Sequence, residues 1–311
     1  MMKGRMSPSA LAVQFGPCCV RLLALGHHRR GIRVEHCREG PLPDGVRFQG
    51  AFDQHIKATC IHTLQSLLAD LRLKAGKAVV AVDSRSVLLR RVPVDSWLEG
   101  DELLDQVKWE AEQLVVDPLD RYVVDFHVQD VSETIREVLL AVVRRNIIRD
   151  YVEVVEKAGL DPFCLDVDLF ALSNAYEYAT TYPASGLTAL VDVDSGCVRC
   201  TIVGEGMFYF GRTREMESLP DDLTRLLDTA ALETKNPEQS SPLARVVVSG
   251  REALSEAFMS DLGARCDYPI EVADPFRVVK MGPSLGRQGV QKESPAYMIS
   301  MGLALRGMTE T

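Results

Sequence analysis

Cysteine and histidine have the widest chemical repertoire of the side chains in this sequence, as nucleophiles, redox pairs or metal ligands. Their placement argues against each use. The cysteines stand scattered at Cys18, Cys19, Cys37, Cys60, Cys164, Cys197, Cys200 and Cys266. Only Cys197-Val198-Arg199-Cys200 has the spacing of a redox or zinc pair. It falls in a strand-like run, where residues three apart point to opposite faces, so its sulfurs diverge. Of the histidines, His27 and His28 fall in a predicted turn, and His55 and His62 lie two turns apart on a predicted helix without an acidic or cysteine partner at ligand spacing. The pattern predicts no metal site. It fits a reducing compartment in which cysteine serves as a small buried apolar side chain.

The whole-chain balance narrows the partners. Lys and Arg number 35 against 44 Asp and Glu, so 35 − 44 = −9, and aromatic residues are only 6% of the 311. A nucleic-acid footprint needs a basic stripe for phosphates and exposed rings for bases, and neither is indicated. The longest apolar stretch, Ala10 to Leu25, is interrupted by Gln14, Pro17 and Arg21, so no span of roughly 20 apolar residues is expected to cross a membrane. Lys3 and Arg5 precede that stretch, but its apolar region is broken and no small-residue cleavage pattern follows, so the chain reads as cytoplasmic.

The elements that must carry any site alternate between strand and helix. Strand-like runs at Leu11 to Phe15, Cys19 to Leu25 and Ile32 to Cys37 precede a helix from about Asp53 to Leu73, whose Ile56, Cys60, Leu64, Leu67, Leu68 and Leu71 make one face. Strands follow at Ala78 to Val82 and at Val87 to Val92, the latter closed by Pro93. Next come a helix from Glu102 to Val116, strands at Tyr122 to Val128 and Val138 to Val143, a helix from Asn146 to Lys157, a strand at Phe163 to Val167 and a helix from Asp168 to Tyr178. A second strand triplet occupies Ala189 to Val193, Cys197 to Val203 and Met207 to Gly211. After it come a helix near Leu219 to Leu232, a loop from Thr234 to Ser241, a strand at Arg245 to Val248, a helix at Glu252 to Leu262, a strand at Pro269 to Val272 and a helix at Ala296 to Leu305.

The two triplets resemble each other. Residues 13–21, Val-Gln-Phe-Gly-Pro-Cys-Cys-Val-Arg, align without gaps on residues 191–199, Val-Asp-Val-Asp-Ser-Gly-Cys-Val-Arg, at an offset of 197 − 19 = 178. The identities fall on Val, Cys, Val and Arg, within the same strand–turn–strand–strand pattern. Such a repeat predicts an α/β, actin-like (ribonuclease-H-like) duplicated fold with an inserted α/β module. The expected bounds, the extent of the insertion being what the family resemblance given next implies, are residues 1–93 and 165–186 for the first half, 94–164 for the insertion and 187–311 for a shortened second half.

Against that architecture, several segments resemble the PilM family of type IV pilus assembly proteins, relatives of FtsA. They are Arg90-Arg91-Val92-Pro93, Val107-Lys108-Trp109-Glu110-Ala111-Glu112-Gln113 with Pro118-Leu119, and Ala158-Gly159-Leu160 with Asp166-Val167-Asp168. Residues 271–278, Glu-Val-Ala-Asp-Pro-Phe-Arg-Val, and Pro295-Ala296-Tyr297 with residues 302–307 complete the resemblance, which covers nearly the whole chain.

The resemblance implies ATP between the two halves, with a first hairpin reading Asp-x-Gly-Ser/Thr-Ser. This chain departs from it. The stretch is Gln14-Phe15-Gly16-Pro17-Cys18, which lacks the carboxylate that would place magnesium, lacks the N–H that Pro17 cannot supply, and has cysteines for hydroxyls. The second hairpin keeps Asp192 but has Asp194 where the family has glycine, and Gly196 completes its degenerate site positions. A carboxylate about 4 Å from a phosphate charge costs about 4 kcal/mol at an effective dielectric of 20. That is roughly a thousandfold in affinity. The adenosine turn, a Ser-Gly-Gly-Gly run in the family, is Ser249-Gly250-Arg251-Glu252. The expectation is a degraded ATP site, no cofactor and no catalysis, with ATP and magnesium retained only if the pocket is rearranged.

The family further implies a cytoplasmic scaffold under the inner membrane that holds the N-terminal tail of a bitopic PilN-like partner, alongside other platform and motor components, and touches the membrane only through that partner. The alternatives are an active actin-like ATPase or phosphotransferase, and a type II secretion platform component. On the helix Glu102 to Val116, Leu103, Leu104, Val107, Ala111, Leu114 and Val115 form the expected core face, with Trp109 pointing away between Asp105, Glu102 and Gln113. Trp109 and Gln113 are therefore the partner-binding candidates, expected either beside the groove between insertion and first half or packed across a subdomain junction.

Overall fold

The structure is a computed structural model that describes residues 10–29, 31–73, 76–130, 135–179, 186–204, 206–217, 219–233, 242–283, 285 and 287–309. Lys3, Arg5 and the expected loop at 234–241 lie outside the described residues.

Each half is built on a meander. In the first, β1 (Ala10–Phe15), β2 (Cys19–His28) and β3 (Gly31–Pro41) are antiparallel, and β4 (Lys77–Val82) and β8 (Asp161–Val167) add in parallel beyond β1. In the second, β9 (Leu187–Asp194), β10 (Cys197–Gly204) and β11 (Met207–Glu215) repeat the meander, and β12 (Leu243–Ser249) and β13 (Ile270–Val272) add in parallel beyond β9. The orders β3-β2-β1-β4-β8 and β11-β10-β9-β12-β13 are the same arrangement used twice. Register agrees to the residue: Gln14 faces Arg21 and Asp192 faces Arg199, and 192 − 14 equals 199 − 21, the offset of 178 seen in the sequence.

Continuous apolar runs make these strands because both sheet faces are covered. On β1, Leu11, Val13 and Phe15 enter the core beneath α1 (Gln54–Leu71) and α3 (Arg145–Lys157), while Ala12 faces the core shared with α4 (Asp168–Ala179) and α8 (Met298–Thr309). Helix α1 starts where the Asp53 carboxylate accepts the Ile56 N–H at 2.7 Å, and it buries the expected Cys60, Leu64, Leu67 and Leu68. Each leucine so buried contributes about 1.5–3 kcal/mol. Helices α4 and α8 cross between the halves, so close that a Cβ at Gly302 would run into the Ala171 carbonyl.

The insertion differs from expectation. Its sheet is β5 (Val87–Asp95), β7 (Ile135–Arg144) and β6 (Tyr122–Asp130), in that order, covered on one face by α2 (Gly100–Glu112). Pro93 does not close β5; an edge strand tolerates the missing donor. Strand β5 thus joins this sheet from Val87 onward, while α3 packs on α1 and β8 pairs with β4 in the first half. Helix α2 stops at Glu112, four residues early, and Leu104, placed in its core face by periodicity, is 39% exposed. His27 and His28 sit at the end of β2, not in a turn. Residues 252–262 are a short 3-10 turn at Glu252–Leu254 and α6 (Glu256–Arg265), capped by the Ser255 hydroxyl. Unanticipated, β14 (Lys280–Met281) crosses from the second half to pair with β3.

Candidate functional site

The hairpin turns of the two meanders face each other across the cleft between the halves, and the polar groups of both are engaged. In the first, the Gly16 N–H donates to Cys19 O at 2.8 Å, while Pro17 O and Cys18 O accept from Phe48 N and Leu42 N at 2.9 Å each. Gln14 is buried and turned to the crossing helix, its Oε1 accepting from the Ser300 hydroxyl at 2.7 Å. In the second, Gly196 holds a positive φ of 81° and its carbonyl accepts from Met216 N at 2.8 Å. At the adenosine-type turn, Gly250 (φ 88°) donates to Pro295 O at 2.9 Å, and a Cβ there would strike the Val193 carbonyl. Glycine at 250 therefore serves protein-to-protein packing here.

Arginines fill the cleft. Arg21 on β2 is fully buried; its Nε donates to Glu39 at 2.7 Å, and its Nη1 lies 2.6 Å from Asp194 as a charge contact without hydrogen-bond alignment. Arg251 reaches back across the cleft to the same Glu39. The repeat mate of Arg21, Arg199 on β10, donates through Nε to Asp168 at 2.5 Å and lies 3.3 Å from Asp192 and 3.5 Å from Asp83. Asp83 is also gripped by both arms of Arg85, at 2.9 and 2.7 Å. Arg85 Nη1 in turn reaches Glu215 at 2.5 Å, and Arg47 reaches the same carboxylate at 2.6 Å while also donating to Ser195 O. The charges thus alternate from the buried centre to the rim, and most of the pairs join one half to the other.

Protonation follows from burial against these partners. Burial pushes Asp192 and Asp168 up, and Arg199 offsets this only in part, so both lie above the ordinary aspartate value. For Asp194 the same burial is outweighed by the charge of Arg21, and for Asp83 by Arg85 and Arg199, so both lie below it. Burial raises the thiols: Cys197 goes to about 11 and Cys200 to about 12, which leaves both protonated and unreactive near neutrality. Cys200 lies in the core of the second half and Cys197 toward Arg85 and Arg199, so their sulfurs do diverge. No cluster of metal-ligating side chains occurs among the described residues, and no helix there is long and apolar enough to cross a membrane.

Gln14, Asp192, Asp194 and Arg251, expected at the nucleotide site, do lie in the cleft, but the groups that occupy it, Arg21, Arg199, Arg85, Glu39 and Glu215, carry no nucleotide-site motif. A signal was present: the repeat places an arginine at one position in both otherwise apolar second strands.

A second concavity lies behind the cleft. A groove of about 560 Å³ runs between the β6–β7 face of the insertion and β8, α4 and the start of β11. Val123, Leu139, Phe170 and Phe208 give it apolar walls, and Asp125 and Glu177 contribute charge. Apart from Phe126, which reaches both, the residues of β6 and β7 that line the groove are odd-numbered; Tyr122, Val124, Val138, Leu140 and Val142 pack under Val107 and Ala111 of α2 on the opposite face. Trp109 and Gln113 are therefore a sheet and a helix away from the groove. Trp109 is 54% exposed and is not among the residues that line the groove.

Two meanders in identical register, two crossing helices and a central cleft define the duplicated actin-like fold. The profile described as Type IV pilus assembly protein PilM matches residues 12–218, and the chain belongs to that family. Among solved structures, a PilM–PilN type IV pilus biogenesis complex is similar at 20% identity, covering 96% of this chain and 98% of that one, with a TM-score of 0.80. The cytoplasmic domain of EpsL, from the type II secretion system of Vibrio cholerae, is similar at 13% identity, covering 97% and 94%, with a TM-score of 0.50. A Bacteroides thetaiotaomicron protein with an actin-like ATPase fold is similar at 10% identity over 88% and 95%, with a TM-score of 0.49.

Proposed function

We propose that this protein is a nucleotide-independent scaffold of a type IV pilus assembly platform, holding the N-terminal cytoplasmic tail of a bitopic PilN-like partner in the groove between insertion and first half. The groove carries the proposal: a long concavity with apolar walls and polar edges suits an extended peptide, whose side chains fill pockets while its main chain finds hydrogen bonds. The PilN of the solved relative supports the choice of partner. Peripheral attachment to the inner membrane follows from that tether. The cleft is read as a pseudo-ATPase site, supported by the lost carboxylate at Gln14, the extra one at Asp194 and the arginines paired across it.

The test is calorimetry with a synthetic peptide copied from the N-terminal tail of the PilN-like protein of the same organism. Saturable binding at one peptide per chain is expected. Absence of saturable binding by the folded protein would sink the partner assignment.

A further inference from the structure

The cleft and the groove are two sides of the same three chain segments. Val82 and Val87 line the groove, while Asp83, Ser84 and Arg85 between them face the cleft. Val167 and Phe170 line the groove, and Asp168 between them holds Arg199. Phe208 forms a groove wall, edge-to-face with Phe170 at 5.1 Å, and the same strand ends at Thr213 and Glu215 in the cleft. Ser84 ties all three together: its N–H donates to Asp168 at 3.1 Å and its hydroxyl meets the Thr213 hydroxyl at 2.6 Å.

We propose that the charged network filling the cleft sets the shape of the groove, with Glu215 as a positioning residue that holds β11, and hence Phe208, against the first half through Arg85 and Arg47. The proposal rests on the partner reading above and adds its regulation: whatever loosens the network weakens capture of the peptide, and peptide binding tightens the network in return. Strand β11 makes this device sensitive because it is an edge strand, held on one side by β10 alone. Glu215 is one-third exposed at the rim, so neutralising it strands no deeply buried charge.

Hydrogen exchange of the Glu215→Gln variant tests the network without any partner. Amides of 207–213 are expected to exchange at least threefold faster, with β6 unchanged, and Glu215→Asp is expected to restore most of the protection. Titration with the PilN-like tail peptide then reads the coupling: affinity should fall at least threefold in Glu215→Gln, and bound peptide should slow exchange at Ser195 and Gly196, which do not line the groove. Unchanged exchange at 207–213 in a folded Glu215→Gln variant overturns the positioning role. Failure of the unaltered protein to bind peptide removes the partner reading alone, because the exchange experiment still decides what Glu215 holds.

Discussion

The cleft between the halves and the groove behind it are built from shared segments yet are opposite in character. The cleft is polar and occupied by its own side chains, with Arg21, Arg85 and Arg199 each between carboxylates. The groove is walled by apolar side chains on β6, β7, α4 and β11 and is left open at about 560 Å³. A buried arginine among aspartates is costly to assemble and far costlier to break, because removing one member strands the others out of water. A groove of apolar walls loses little when empty and gains by being covered. The contrast teaches that concavity alone does not mark a binding site: what matters is whether the lining is already satisfied.

The largest effect should come from breaking the cleft at its centre. Arg199→Leu leaves Asp83, Asp168 and Asp192 without their common counter-ion and should cost about 3–5 kcal/mol. That corresponds to a fall in Tm on the order of 10 °C by scanning calorimetry. The sign of its pH dependence follows from the same burial. Without Arg199, Asp168 and Asp192 rise further above their unfolded values, so protonating them relieves the folded state and the deficit should shrink as pH falls from 7 toward 5. A deficit independent of pH would mean that Arg199 acts through packing and not charge.

On the groove side, Ala141→Phe should place a ring in the peptide path from the open face of β7. Peptide affinity should drop at least tenfold by calorimetry, with thermal stability nearly unchanged. Equal affinity in both proteins would move the peptide elsewhere. A smaller signal is expected from nucleotide: ATP with magnesium should bind no tighter than about the millimolar range. Micromolar binding abolished by Asp192→Ala would reverse the reading of the cleft and restore a nucleotide site there.

Much of this architecture was legible because it rests on period. Both meanders, their offset of 178 and the buried face of α1 follow from apolar runs and helical spacing, which the fold leaves intact. The extent of β5 was not legible, since Pro93 looks like a stop unless one knows that β5 is an edge. Strand β14 is two residues long and exists only because the second half delivers it to β3. The cleft was half legible. Missing motif residues show what the turns lack, but not that Arg21 and Arg199 fill the space, because pairing such as Arg21 with Asp194 joins positions 173 residues apart, 194 − 21, in two halves whose docking no local pattern encodes.

Trp109 sharpens the comparison through an expected absence of effect. Helical spacing gave its direction correctly, away from Val107 and Ala111, and its exposure makes it tempting as a partner contact. Direction is not destination, however. The side of the insertion that bears Trp109 is separated from the groove by α2 and the β5–β7–β6 sheet, so truncating it removes no atom from the groove wall. Trp97, on the same insertion, is 67% exposed as well, so Trp109 is not the only exposed tryptophan there. Trp109→Ala should leave peptide affinity within about twofold and stability within about 0.5 kcal/mol, the range of ordinary surface substitutions. Calorimetry of the variant with the same tail peptide checks the first and urea denaturation the second. A tenfold loss of peptide affinity in the folded variant would place the peptide over α2, and the groove would then lose its claim to be the partner site.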